Sequence, residues 1–585
     1  MEYALFGVIA IVTIVTVASF SKKLGIAAPL ILVVVGIIYS YLPGVPPIEV
    51  EPDWILMGIL PPLLYSAAVA VPVVDFRRNF GSITALSVAL VLVSAFATGF
   101  LLFALLPDLN LAAAIALGAV ISPTDVVAAT SIGKRLGLPP RLVTILEGEG
   151  LVNDATALVM LRSAVAAAAM TATGDFDAWG AVGDFFYAVI VAVALGLVVG
   201  VVSVWVRGRL GDTVLDTAIS FAVPFIAFIP SEELGASGVI AVVVAGLYSG
   251  HAAPARFPAQ ARISERLNWR TVQFVLENGV FLLMGLQIKG IVAQVESERL
   301  SVAGAVLLGL LAAGLLIVLR FLFVAPLIAG LRRRERNAGA FQERAGTMLD
   351  RIRGLPEGDA RAEKRRRRVT LAIERRTNDV AQLSSEGLGW RGGLVIGWAG
   401  MRGVVTLAAA QTLPRSTPYY EQLVLIAFTV AIVTLLLQGA TLPFVIRLSG
   451  IRGSDRTADR RELATLLDEI EHAGLVLLDG SEASLSGGEP IDTDVVERVR
   501  DETRRTALAA WERADNGTEP EALPQSPHQQ YRALRREVLD AQRMALLDAR
   551  SRGAYPSRIL SRAQALLDLE EARLEQNDNG GRLDH

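Results

Sequence analysis

Residues 110–130 read NLAAAIALGAVISPTDVVAAT, an apolar stretch interrupted by Ser122-Pro123-Thr124-Asp125. Its length suits a helix crossing about 30 Å of hydrocarbon. Pro123 removes a backbone donor in the middle of that helix, as in the interrupted helices that place half-helix ends at the midplane of a membrane. Asp125 then stands where it offsets the positive N-terminus of the second half.

Outward from this stretch the composition is of one kind. Of the 585 residues 52% are hydrophobic and only 19% charged, against about 25% charged in a soluble chain, and the mean hydropathy is +0.48. A soluble enzyme is excluded. The chain has no cysteine and four scattered histidines, His251, His472, His528 and His585. Disulfides, thiolate zinc sites, iron–sulfur clusters and cysteine nucleophiles are thereby ruled out, and a histidine metal cage is disfavoured.

Thirteen apolar runs have spanning character: 4-20, 26-42, 54-73, 82-106, 110-130, 142-171, 180-206, 213-230, 235-250, 269-289, 302-330, 391-413 and 421-447. They lack the alternation of barrel strands, and a helix satisfies its own backbone in lipid, so the expected fold is all-α and polytopic. Loops after odd-numbered runs carry the cations: Lys22 and Lys23; Arg77 and Arg78; Lys134, Arg135 and Arg141; Arg207 and Arg209; Arg256, Arg262 and Arg266. Loops after even-numbered runs hold few, and the first is acidic through Glu49, Glu51 and Asp53. The positive-inside rule places the N-terminus outside and the C-terminus in the cytoplasm. Glu2 before the first run and Lys22-Lys23 after it reverse the charge order of a signal peptide.

Two hydrophilic stretches face the cytoplasm in this topology. Residues 331–390 hold 15 Lys/Arg and 9 Asp/Glu, including Lys364-Arg365-Arg366-Arg367-Arg368. Such a segment suits anionic lipid headgroups or an acidic partner, and its tether at both ends argues against nucleic acid. From 451 onward 19 Lys/Arg face 27 Asp/Glu. Helical stretches (Arg461 to Leu478, Val495 to Arg513, Tyr531 to Arg552, Pro556 to Gln576) alternate there with turn-rich linkers at Asn516-Gly517 and Pro524 to Pro527. Basic loop and acidic tail either touch each other or are independently solvated.

A charge at bilayer depth costs several kcal/mol, so each one is a functional candidate. The deep ones are Asp125, Glu149, Asp154, Glu277, Arg320 and Arg402, with Arg162 and Asp216 nearer the interfaces. Four carboxylates against two arginines leave at least one without a fixed cation. An unpaired, desolvated carboxylate is protonated in the physiological range, and it holds either a proton or a metal cation. A site that crosses loaded with one and returns with the other is an exchanger. Hard monovalent cations want oxygen, which Asp154, Asn153, Thr124 and carbonyls freed near Pro123 supply. Glu149 and Asn153 share a helix face, whereas Asp154 points about 100° round from Asn153. Glu149 can therefore pair with Arg320 while Asp154 faces an ion path; a purely structural ion-pair network is the competing reading.

Ile121-Ser122-Pro123-Thr124-Asp125 followed by Glu149-Gly150-Leu151-Val152-Asn153-Asp154 resembles the sodium/proton exchangers of the cation:proton antiporter superfamily, in the bacterial monovalent cation:proton antiporter 1 branch with Asn-Asp in the sixth helix. Leu60 to Tyr65, Ser237 to Val242, Phe281 to Leu286 and Gly400-Met401-Arg402-Gly403 extend the similarity in order over about residues 1–450. The resemblance implies about thirteen transmembrane helices, two inverted six-helix repeats with interrupted crossing helices, a mobile core and a dimerisation domain. It also implies a transmembrane domain 1–450 carrying the insertion 331–390, and a mostly helical regulatory tail 451–585. Leu566 to Arg573 resembles the tail of bacterial members and implies a plasma (inner) membrane location.

Carried over by position, Asp154 binds sodium or a proton, Asn153 is the neighbour that marks the electroneutral branch, Thr124 contributes to the sodium site and Asp125 balances the crossed helix ends. Glu149 pairs with Arg320, and Arg402 lies near the crossing. No cofactor is implied beyond the transported sodium and proton. The implied partners are membrane lipids and a second copy of the chain. This sequence departs from many relatives at Ser66, where they place an acid, at Gly150, where a serine is frequent, and in the length of 331–390. The leading reading is sodium/proton antiport, electroneutral and 1:1. Its rivals are potassium/proton antiport, a non-transporting pH or ion sensor, and a channel; an enzyme is the weakest reading.

Overall fold

The computed structural model describes residues 2–43, 45, 48, 50–171, 178–295, 300–353, 360–385, 387–451, 453, 456–479, 494–501 and isolated positions farther on. It divides into two compact units, Met1–Ile451 and Arg452–His585.

In the first unit α1 (Glu2–Leu24) and α2 (Ala28–Ser40) precede a π-helical turn, Trp54–Ile59, that runs into α3 (Leu60–Ala70). α4 (Val73–Thr84) continues through a second such turn, Ala85–Ala89, into α5 (Leu90–Leu105). The quoted stretch is two helices, α6 (Leu111–Ile121) and α7 (Val127–Arg135). α8 (Pro140–Thr171) carries Glu149, Asn153 and Asp154. Then come α9 (Ala178–Arg207), α10 (Thr213–Glu233), α11 (Gly238–Arg256), α12 (Ala259–Leu286), α13 (Ile288–Gln294) and α14 (Val302–Arg336). α15 (Ala338–Arg353) and α16 (Ala360–Ser385) lead to a second broken pair, α17 (Trp390–Trp398) and α18 (Val404–Gln411), and α19 (Tyr420–Ser449) ends the unit.

Local chemistry sets several of these boundaries. Asn110 caps α6 by accepting the Ala113 N–H at 2.6 Å, and Asp212 caps α10 through Val214 at 2.7 Å. Pro29 and Pro61 occupy the first turns of α2 and α3, where a missing N–H costs nothing.

Among the described residues, eight helices are long and apolar enough to cross a membrane, and Leu5–Ser21, Ala28–Ser40, Trp54–Ala70 and Leu111–Ile121 are shorter apolar helices. The run at 391–413 divides at Ala399–Gly403, where α17 stops and α18 starts. Large apolar side chains point outward, among them Ile190, Val198, Val318 and Leu322, each more than half exposed, as lipid-facing helices require. Where helices meet, small residues let backbones approach. A Cβ on Gly36 would lie 2.5 Å from Leu282 O, and one on Gly285 would lie 2.3 Å from Val33 O, so α2 and α12 pack backbone against backbone.

Two large apolar clusters fill the unit beside a small third one at Val204, Phe257 and Ala261. One joins α2, α5 to α8, α12, α14 and α17 to α19, and the other joins α3 with α8 to α12. α8 belongs to both, giving Leu146 and Leu161 to the first and Leu151 and Ala155 to the second. α12 is shared as well, so Asp154 sits on one of the two helices that form the seam.

In the second unit α20 (Arg456–Asp479) contains the expected helix Arg461 to Leu478, and residues 494–501 are helical. Most of the expected helices Tyr531 to Arg552 and Pro556 to Gln576, most of the end of Val495 to Arg513, most of Leu566 to Arg573 and both linkers lie outside the described residues; the described positions within those helices, 504, 511, 535, 538, 539, 541, 542, 544, 545, 567, 569 and 570, are helical.

Candidate ion-exchange site

The two helix breaks abut. The Asp125 N–H donates to Met401 O at 2.6 Å, and Asp125 Oδ1 accepts the Val127 N–H at 2.9 Å in the first turn of α7. A Cβ on Gly403, the residue that starts α18, would fall 2.1 Å from Asp125 Oδ2. One carboxylate thus lies against the positive N-terminal ends of both second halves. The negative ends are served by arginines. Arg402 Nε donates to Ile121 O, the last residue of α6, at 3.2 Å, and its Nη1 donates to Gly400 O. Arg320 Nε donates to Ile396 O in the last turn of α17 at 2.9 Å. Charge of the right sign stands at each half-helix end, which lets irregular backbone exist at this depth. Gly403→Ala is expected to push Asp125 off its place and to lower stability by about 1–3 kcal/mol; thermal unfolding in detergent measures it.

A bonded chain runs beside the crossing. Arg320 grips Glu149 with Nη1 to Oε1 at 2.5 Å and Nη2 to Oε2 at 2.8 Å. The Thr124 hydroxyl donates to Glu149 Oε1 at 2.7 Å, and Asn153 Nδ2 donates to Thr124 O at 2.9 Å and Thr124 Oγ1 at 3.0 Å. Glu149, Asn153, Thr124, Arg320 and Arg402 are all buried. The sequence placed Thr124 with Asp154; in the structure its hydroxyl is engaged by Glu149 and Asn153. Asn153 Oδ1 is a buried oxygen without a hydrogen-bond partner.

Asp154 stands outside that chain. It is half-buried and, among the described residues, no hydrogen bond or ion pair reaches its carboxylate. The charge that bears on it is that of Asp125, which is also negative. The other acids singled out in the spans are engaged: Asp125 by Val127, Glu149 by Arg320, Glu277 by Gln273 at 2.6 Å, and Asp216 by Arg207 at 2.8 Å. Arg162 pairs with Glu232 at a half-exposed position.

One constellation escaped the sequence reading. Arg207 counts there as a loop cation, but it is 1% exposed, bonded to Asp216 and to Glu265 at 2.8 Å each, with its guanidinium 4.4 Å from the Phe257 ring. The correction has a simple cause. α9 ends on Arg207, and α10 and α12 bring carboxylates to it that are 9 and 58 residues away in the chain. Asp216, conspicuous in an apolar run, and Glu265, four residues before Trp269 on α12, are the hints the sequence offers.

Residues 8–448 match the family described as sodium/hydrogen exchanger, transmembrane. The chain belongs to the sodium/hydrogen exchanger family. As a member it is a multi-pass membrane antiporter of a monovalent cation and protons, and not an enzyme. It is 28% identical over 580 residues, 97% of this chain and 96% of the relative, to an uncharacterized Na(+)/H(+) exchanger of Mycobacterium tuberculosis. A sodium, potassium, lithium and rubidium/H(+) antiporter of Bacillus pumilus is 30% identical over 319 residues, 52% of this chain and 46% of the relative. The sodium proton antiporter of Methanocaldococcus jannaschii has the same fold, with a TM-score of 0.54 at 15% identity over 77% of this chain and 100% of that one.

Proposed function

We propose that this exchanger moves sodium against protons, one for one, through competition at Asp154. The observation that carries the reading is the unpaired state of that carboxylate beside two abutting helix breaks. A proton neutralises Asp154, and so does a sodium ion; either loaded site can enter a low-dielectric passage. The empty site keeps a bare negative charge next to Asp125, and its desolvation costs several kcal/mol. Only loaded forms cross cheaply, which couples the two fluxes. Sodium needs further oxygens, and Asn153 Oδ1, with backbone carbonyls outside the helical ladder at 122–126, stands nearest in the chain. Glu149, Arg320 and Arg402 keep the crossing rigid and leave Asp154 as the variable charge.

The same reading has thirteen crossings in two inverted six-helix repeats, the N-terminus outside, the C-terminus in the cytoplasm, a plasma-membrane location, a homodimer and a regulatory tail. Potassium is the second substrate reading, supported by the four cations in the name of the Bacillus pumilus relative. Proteoliposomes with a pH-sensitive dye test the cation: sodium pulses are expected to give the largest proton flux, and a larger potassium response at equal concentration rejects sodium. Stoichiometry is tested separately. With matched pH, an imposed membrane potential is expected to drive no sodium uptake; potential-driven uptake rules out one-for-one exchange.

A further inference from the structure

Residues 331–390 carry none of the side chains assigned to the exchange cycle, yet α16 is fastened to the helices that carry them. Asp379 accepts from Arg78 Nε at 2.6 Å and Arg77 Nη2 at 3.2 Å, both on α4. Arg141, in the first turn of α8 and 5% exposed, donates to Leu383 O at 2.8 Å, to Glu335 Oε1 at 3.1 Å and to Asn79 Oδ1 on α4 at 3.2 Å. Glu335 also accepts the Leu388 N–H at 3.1 Å. The C-terminal half of α16 is thus tied to the start of the helix that bears Asp154 and to α4, which packs on it.

From Lys364 to Arg375, α16 turns a basic face outward. Lys364, Arg365, Arg367, Arg368 and Arg375 are exposed and, among the described residues, have no carboxylate partner. At about 100° per residue Leu371 falls at the centre of that face, between Arg367, Lys364 and Arg375. Leu371 is 44% exposed and Val369, at the edge, 38%. Cations interleaved with exposed apolar side chains match a bilayer surface, with phosphates for the cations and the acyl boundary for Leu371. An acidic protein or a nucleic acid leaves Leu371 unmatched. α14, long and apolar enough to cross a membrane, precedes the insertion and the apolar α17 follows it, which keeps α16 near the bilayer surface.

We propose that α16 seats on anionic phospholipid headgroups through Lys364, Arg365, Arg367, Arg368 and Arg375, and that Asp379 and Leu383 pass this contact to α4 and α8, so that anionic lipid sets the rate of exchange. The rate part rests on the antiporter reading above. The contact part does not.

The test uses the full chain, the combined Lys364→Gln, Arg365→Gln, Arg367→Gln, Arg368→Gln variant, and Asp379→Asn. Each is placed in phosphatidylcholine bilayers with and without phosphatidylglycerol. Amide exchange over 364–376 is expected to slow by about tenfold or more with phosphatidylglycerol in the unaltered chain and in Asp379→Asn, and not in the combined variant. Cation-driven proton flux is expected to change severalfold with phosphatidylglycerol in the unaltered chain only. Equal protection in both lipids, or an undiminished response in the combined variant, overturns the lipid contact. An undiminished flux response in Asp379→Asn overturns the transmission. Protection by soluble polyglutamate in pure phosphatidylcholine overturns the membrane as partner in favour of an acidic protein. Absence of flux in every lipid counts against the antiporter reading, and the amide exchange then decides the contact alone.

Discussion

Asp154→Asn is expected to reduce cation-driven proton flux in proteoliposomes to the level of empty vesicles, while the purified protein keeps its monodisperse profile and unfolding temperature. Asn occupies nearly the same volume and can neither ionise nor neutralise sodium, so both halves of the cycle lose their binding group. The fold is expected to be indifferent because, among the described residues, no hydrogen bond or ion pair reaches the Asp154 carboxylate. That pairing of outcomes is specific. A structural acid such as Glu149, whose two oxygens accept from Arg320 and Thr124, cannot be neutralised at no cost to stability. Residual exchange near the unaltered rate in Asp154→Asn removes this residue from the ion path.

The second large effect is opposite in kind. Arg320→Gln is expected to lower stability by about 3–5 kcal/mol, because it strands a charged Glu149 that is 1% exposed. It also removes the Arg320 Nε donor from Ile396 O, leaving the C-terminal end of α17 uncapped. Adding Glu149→Gln should recover part of the loss, since two neutral amides in contact replace an orphaned charge. Thermal unfolding of the two variants and their combination measures the coupling. Additive losses would show that Glu149 and Arg320 do not act as a pair.

The sequence revealed these residues through their cost. In an apolar run each charge is conspicuous, so Asp125, Glu149, Asp154, Arg320 and Arg402 stood out before any geometry was known. Pro123 marked one helix break for the same kind of reason. The second break, at Ala399–Gly403, has no proline; Arg402 marks the position by its charge, and only the family resemblance implies an interruption there. Partners were harder to read than positions. Glu149 and Arg320 are 171 residues apart, and Arg402 reaches Ile121 O across 281; a backbone carbonyl as the target of an arginine leaves no trace in composition. Arg207 was misplaced because a cation at a helix end looks the same whether it faces water or two buried carboxylates. The fastening of α16 by Asp379 depends on a fold of the insertion that its charge content does not specify.

The central claim is that one carboxylate holds either sodium or a proton. Proton release on adding sodium chloride to the purified protein in weak buffer measures that competition without transport, with choline chloride as the reference. Release of protons by the unaltered chain, falling off as the solution is made more acidic and absent in Asp154→Asn, is the result predicted. No release, or the same release in Asp154→Asn, contradicts it.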